Sequence, residues 1–121
     1  MQILLAIFLG GGLGSVSRYA LSRTITSNFT NINPVGTFVA NLASTIILAF
    51  ILYISASRGG LSGTSKALLV IGFCGGFSTF STFSYETFEL LRSGNFTFAI
   101  ANILISLLLG VGVLFILAKN F

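Results

Sequence analysis

The chain has 121 residues, 55% hydrophobic and 7% charged, with a mean hydropathy of +1.03. Soluble domains carry about 25% charged residues, so this composition describes an integral membrane protein with too little polar sequence for a soluble domain. The absence of His removes the usual metal ligand and general base, and a single Cys forbids an internal disulfide. The net charge of +4 reads as topological anchors and not as a nucleic-acid patch in so apolar a chain.

Four apolar stretches, approximately 3–21, 35–55, 67–91 and 98–118, predict one all-α transmembrane domain over residues 1–121. The first lacks a basic leading region and a small-residue cleavage site, so it reads as a span and not as a signal peptide. Its Gly10 and Gly14 form a G-x-x-x-G pair suited to close helix approach in lipid. Arg18 lies near its end, where it either snorkels to the interface or serves the function. Arg23 to Asn33 reads as a polar loop, and Pro34 opens the second span.

Thr37 and Asn41 sit four residues apart on one face of that second helix. A lone Asn in a membrane helix is usually interhelical glue, whereas the pair points to a polar lining. Ser57 to Ser65, with Gly59, Gly60 and Gly63, forms a loop between Arg58 and Lys66. The third span ends at a tight turn, Arg92 to Asn95. The fourth carries Asn102, Ser106 and Gly110 at intervals of four, a stripe of which Gly110 fits a packing face.

Four spans put both termini on one side. Arg58, Lys66 and Lys119 then face Arg18, Arg23 and Arg92 across the membrane. With the positive-inside bias nearly absent, the chain can insert in either direction, and two opposite copies can pair as an antiparallel dimer.

The stretch GFCGGFSTFSTFSYE, Gly72 to Glu86, interrupts the third span. Gly75-Gly76 suggests a helix break there, and freed carbonyls at such a break can hold a cation. No carboxylate lies within it, so a monovalent ion fits better than Mg²⁺ or Ca²⁺. Phe80 and Phe83 offer electropositive ring edges instead. With the Asn41 amide and the Ser106 hydroxyl they would suit a small anion, and Arg18 near a mouth would attract it. Packing remains the plainer reading of the two rings in a chain with 13 Phe. Glu86 and Glu89 read as interfacial carboxylates, with Glu86 able to touch the end of a pore.

GFCGGFSTFSTFSYE resembles the signature of the Fluc/CrcB fluoride channel family. PVGTFVAN with Asn41, GGGLGSVSRY with Arg18 and SLLLG in the last helix resemble that family's other motifs, in order and over nearly the whole chain. The resemblance implies an antiparallel, dual-topology homodimer with a broken third helix. It would export cytoplasmic fluoride passively, exclude chloride and, in bacteria, occupy the inner membrane. Phe80, Phe83, Asn41, Thr37 and Ser106 would line the fluoride path, with Arg18 at the vestibule. A structural Na⁺ would sit on the two-fold axis, held by the backbone carbonyls of Gly75 and Ser78 from both chains. Ser78 stands where the family often has Thr, which a carbonyl ligand tolerates. Asn102 stands where the last helix often carries Tyr, so that end of the polar track departs from the family.

The main rival is a small dual-topology multidrug or cation exporter. It needs a carboxylate deep in the membrane, and the first span has no acidic residue. A purely structural protein would not need Asn41, Arg18 and an interrupted third span together. An enzyme lacks any nucleophile–base pair to work with.

Overall fold

The computed structural model describes residues 1–26 and 34–118. Residues 27–33 of the expected loop, and Lys119 of the charge count, lie outside them. Among the described residues the fold is all-helical. Helix α1 runs Gln2–Thr26 and α2 runs Val35–Ser57. The third span comprises α3 (Gly63–Lys66), a π-helical segment (Ala67–Cys74) and α4 (Gly75–Phe77), followed by α5 (Phe80–Arg92). Helix α6 runs Phe96–Ala118. Four stretches, Gln2–Ile25, Val35–Ser57, Gly63–Arg92 and Phe96–Ala118, are long and apolar enough to cross a membrane.

The ends differ from expectation where local chemistry favours helix. Arg23 to Thr26, read as loop, continue α1. The third span starts at Gly63, inside the expected loop, because the Ser62 side chain accepts the Ser65 N–H and caps a first turn. The Arg92–Asn95 turn forms as expected. Asn95 N–H bonds back to Leu90 O at 2.8 Å, and Gly94 takes a φ of +85°, which a residue with a Cβ rarely adopts.

The interior is built from small residues. Ala40, Ala49 and Ala99 are fully buried, while Phe8, Leu108 and Phe115 face outward. Lipid supplies no hydrophobic drive between helices, so close van der Waals approach must hold them together. The tightest seam joins α1 to the π-helical segment and α4. There Gly10 and Gly14 lie against the backbone of Leu68 and Phe73, and Gly72 and Gly76 lie against Gly10 and Gly11. The expected G-x-x-x-G pair is thus met by a second one, Gly72 and Gly76. α2 packs chiefly on α6.

Gly75 and Gly76 do not break the helix. Gly75 has φ −64° and ψ −37°, and both residues belong to α4. A Cβ on Gly76 would come within 2.5 Å of Gly11 O, so its lack of a side chain serves helix approach. The extended residues are the next two: Ser78 at φ −87°, ψ 158° and Thr79 at φ −148°, ψ 123°.

Candidate functional site

An interruption of two residues strands backbone groups that hydrocarbon cannot satisfy. Neighbouring side chains take up several of them. Thr79 caps α5, its hydroxyl accepting the Thr82 N–H at 3.2 Å. Asn41 on α2 grips Thr79 from both sides. Its Oδ1 accepts the Thr79 N–H at 2.7 Å and its Nδ2 donates to the Thr79 carbonyl at 3.1 Å. Only this orientation of the amide satisfies both groups. One Asn41 N–H is committed there, and the amide carries a second.

At the end of α4, Arg18 Nε donates to the Gly76 carbonyl at 3.1 Å. A cation at a helix C-terminus also answers the negative end of its dipole. The Cys74 carbonyl accepts from the Ser78 N–H at 3.1 Å and from the Ser78 and Ser44 hydroxyls at 3.0 and 2.8 Å. The bonds across the interruption thus go to the carbonyls of Cys74, Gly76 and Thr79. Those of Gly75, Phe77 and Ser78 receive none of them.

Thr37, Asn41 and Ser44 form one polar stripe on α2, at i, i+4 and i+7. They bond in turn to Glu86, Thr79 and Cys74, so α2 runs antiparallel along the third span. Thr37 donates to Glu86 Oε1 at 2.8 Å. Glu86 is therefore half-buried and tied to α2, not an exposed interfacial carboxylate, and its Oε2 has no partner among the described residues. Glu89 instead is buried and pairs with exposed Arg92 at 2.6 Å.

Beside the interruption lies an open cleft of about 250 Å³, lined by Asn41, Ser78, Thr79, Phe80, Phe83, Ser106 and Leu107. The Phe80 and Phe83 rings stand 6.0 Å apart at 36°, a tilt that turns ring edges and faces in different directions. Ser106 Oγ is buried without a partner among the described residues. It also borders a smaller cavity of about 40 Å³ with Asn41, Thr45 and Gly110. A hydroxyl with no protein partner, between two cavities, is available to something that occupies them.

The sequence profile of CrcB-like protein, Camphor Resistance (CrcB), matches residues 5–118 of this chain. The chain belongs to the CrcB-like family. A protein named fluoride-specific ion channel FluC from Phocaeicola vulgatus is 43% identical over 111 residues, covering 92% of this chain and 91% of the relative. A FluC of Serratia proteamaculans is 44% identical over 107 residues, covering 88% and 84%. One from Pyrococcus horikoshii is 38% identical over 117 residues, covering 95% and 92%. These names denote an ion channel and not an enzyme.

In this CrcB-like protein the residues singled out by sequence fall into three places. Asn41, Phe80, Phe83 and Ser106 meet at the cleft. Thr37 lies one turn away along α2, its proton committed to Glu86. Arg18 reaches from α1 to α4, where Gly75 lies, and Ser78 is the first residue of the interruption. Sequence reasoning missed Ser44, whose signal was its place seven residues after Thr37 on the same face. It also missed that Asn41 and Arg18 have backbone partners, which nothing in the sequence announces.

Proposed function

We propose that this protein is a fluoride channel that lets cytoplasmic fluoride leave down its gradient while rejecting chloride. The observation that carries the reading is the meeting of Asn41, Phe80, Phe83 and Ser106 at one cleft in a chain of the CrcB-like family. Its relatives are named for the same ion.

The chemistry follows from the donors. An anion entering hydrocarbon must exchange water for other positive partners. The second Asn41 N–H, the Ser106 hydroxyl and the ring edges of Phe80 and Phe83 supply partial positive charge without a full cation that would trap the ion. The Phe rings keep the same volume unwelcoming to water. Arg18, beyond the cleft on α1, adds a positive field that draws anions toward it. The interruption at Ser78–Thr79 then serves as a break at membrane depth, which turns Phe80 and Phe83 toward the ion path.

The working unit is an antiparallel, dual-topology homodimer, in bacteria in the inner membrane. Phe80 is 79% exposed in the single chain, so one copy leaves the ring edge without a facing wall. The basic residues also divide nearly evenly between the two faces. A structural Na⁺ fits the carbonyls of Gly75 and Ser78, which are neutral oxygens free of the bonds that cross the interruption. One chain offers too few of them for a full shell, so the ion belongs on an axis shared with the second copy. Bound there, it would supply a fixed positive charge joining the two α4 ends.

Purified protein in liposomes, read with a fluoride electrode, tests the channel. Proton-coupled uptake of a quaternary ammonium dye tests the exporter alternative, for which Glu86 is the candidate carboxylate, since Glu89 is paired with Arg92. Rapid fluoride efflux without dye uptake is the expected result. Dye uptake without fluoride efflux overturns the proposal.

A further inference from the structure

The place of Asn102 in the structure departs from the polar track expected of the α6 stripe. It does not line the cleft of Phe80, Phe83 and Ser106. It borders instead an apolar cavity of about 190 Å³ between α2 and α6, with Phe38, Phe98 and Ile105 among the walls. Its amide turns to α5, where Nδ2 donates to Thr87 Oγ1 at 3.0 Å. The Thr87 hydroxyl, in a buried residue, donates in turn to the Phe83 carbonyl at 2.8 Å.

The two bonds form a chain with one direction. Thr87 Oγ1 accepts from Asn102 and donates to Phe83, so each bond polarises the other in a low-dielectric setting. A Thr hydroxyl bonding back to the i−4 carbonyl biases the local helix axis. Asn102 fixes which way that hydroxyl points, because its N–H requires the oxygen lone pair. The register of α5 on α6 at this level, and with it the direction in which Phe83 leaves the helix, thereby depends on a residue outside the cleft.

We infer that Asn102 is a positioning residue for the Phe83 ring, acting through the Thr87 hydroxyl, rather than a wall of the ion path. The inference rests on the fluoride-channel reading for its first test below and not for its second. In liposomes, Asn102→Leu and Thr87→Val each lower the fluoride-to-chloride flux ratio about 2- to 10-fold, the range expected for one hydrogen bond. Thr87→Ser, which keeps the hydroxyl, retains the wild-type ratio. The double variant Asn102→Leu/Thr87→Val is no worse than the more damaged single one, because both cut the same chain. Multiplying effects, or a wild-type ratio in both single variants, overturns the inference.

A second readout is independent of transport. The chain contains no Trp, so Phe83→Trp provides a single indole at the ring position, which can be excited apart from the three Tyr. In that background Asn102→Leu and Thr87→Val shift its emission and Thr87→Ser does not. If wild-type vesicles release no fluoride, the channel reading fails while this measurement still decides the relay. Emission unchanged in both variants rejects it, as does loss of thermal stability without any change in emission or selectivity, the pattern of simple helix–helix glue.

Discussion

Replacing Asn41 with Leu, which has nearly the same shape, removes both bonds to Thr79, at 2.7 and 3.1 Å. The helix is interrupted there, so no neighbouring turn can take over the Thr79 N–H, whereas the Thr79 C=O, at the N-cap of α5, keeps the first bond of that helix. Side-chain hydrogen bonds between membrane helices average only about 0.6 kcal/mol each, which sets a floor near 1.2 kcal/mol for two. Orphaning the part-buried Thr79 N–H costs about 1–3 kcal/mol and losing the extra bond to its carbonyl about 0.5–1.5, which together set a ceiling of roughly 4.5 kcal/mol. The structure favours the upper range, because the Thr79 N–H is a backbone donor that cannot turn elsewhere. Asn41→Asp keeps the acceptor for the Thr79 N–H, but its second oxygen faces the Thr79 carbonyl and its charge is costly at membrane depth, so it should destabilise as well as repel an anion. Unfolding of the detergent-solubilised protein by SDS titration measures the loss, and the electrode measures the flux. Asn41→Leu with less than about 1 kcal/mol lost and fluoride flux intact would refute the two-sided grip.

Other perturbations separate packing from conduction. Gly76→Ala must push α4 off Gly11, since its Cβ would meet Gly11 O at 2.5 Å, whereas a Cβ on Gly12 meets nothing within 4 Å. Thermal unfolding should show a loss of about 1–3 kcal/mol for the first and no loss for Gly12→Ala; equal stabilities contradict the glycine seam. Phe80→Ile should cut fluoride efflux while crosslinking still reports a dimer, because the ring is largely exposed in the single chain and holds little of its fold. Wild-type efflux from that variant removes Phe80 from the path. Prolonged removal of Na⁺ should weaken assembly, read by size-exclusion chromatography, and transport with it. Unchanged behaviour in exhaustively Na⁺-free vesicles removes Gly75 and Ser78 as ligands.

The sequence made the spans legible because hydrocarbon imposes a length and a composition on them. Gly94 was legible as a turn for the same kind of reason, since few residues accept its φ of +85°. The cleft was partly legible, because Asn41 with Thr37 pointed to a polar lining and the resemblance singled out Phe80 and Phe83, which by residue type alone read as packing. Contacts between helices decided the rest. The π-helical segment Ala67–Cys74 has no residue signature, since its wider turn accompanies the close seat of Leu68 and Phe73 on Gly10 and Gly14. The same seam explains why Gly75-Gly76 misled as a break point. Glycine lowers helix propensity, yet here Gly76 marks where another backbone approaches, and Thr79 with its cap sets the interruption. Glu86 read as interfacial because it stands near the end of the third span. Only the antiparallel course of α2 brings Thr37 against it.

The most direct measurement loads sealed vesicles with equal fluoride and chloride and follows both ions with selective electrodes after the purified protein is reconstituted. Fluoride should leave rapidly while chloride stays, and Phe80→Ile should slow the fluoride release. Vesicles that retain both anions as tightly as protein-free ones, or that lose both at the same rate, contradict a cleft built to take one small halide.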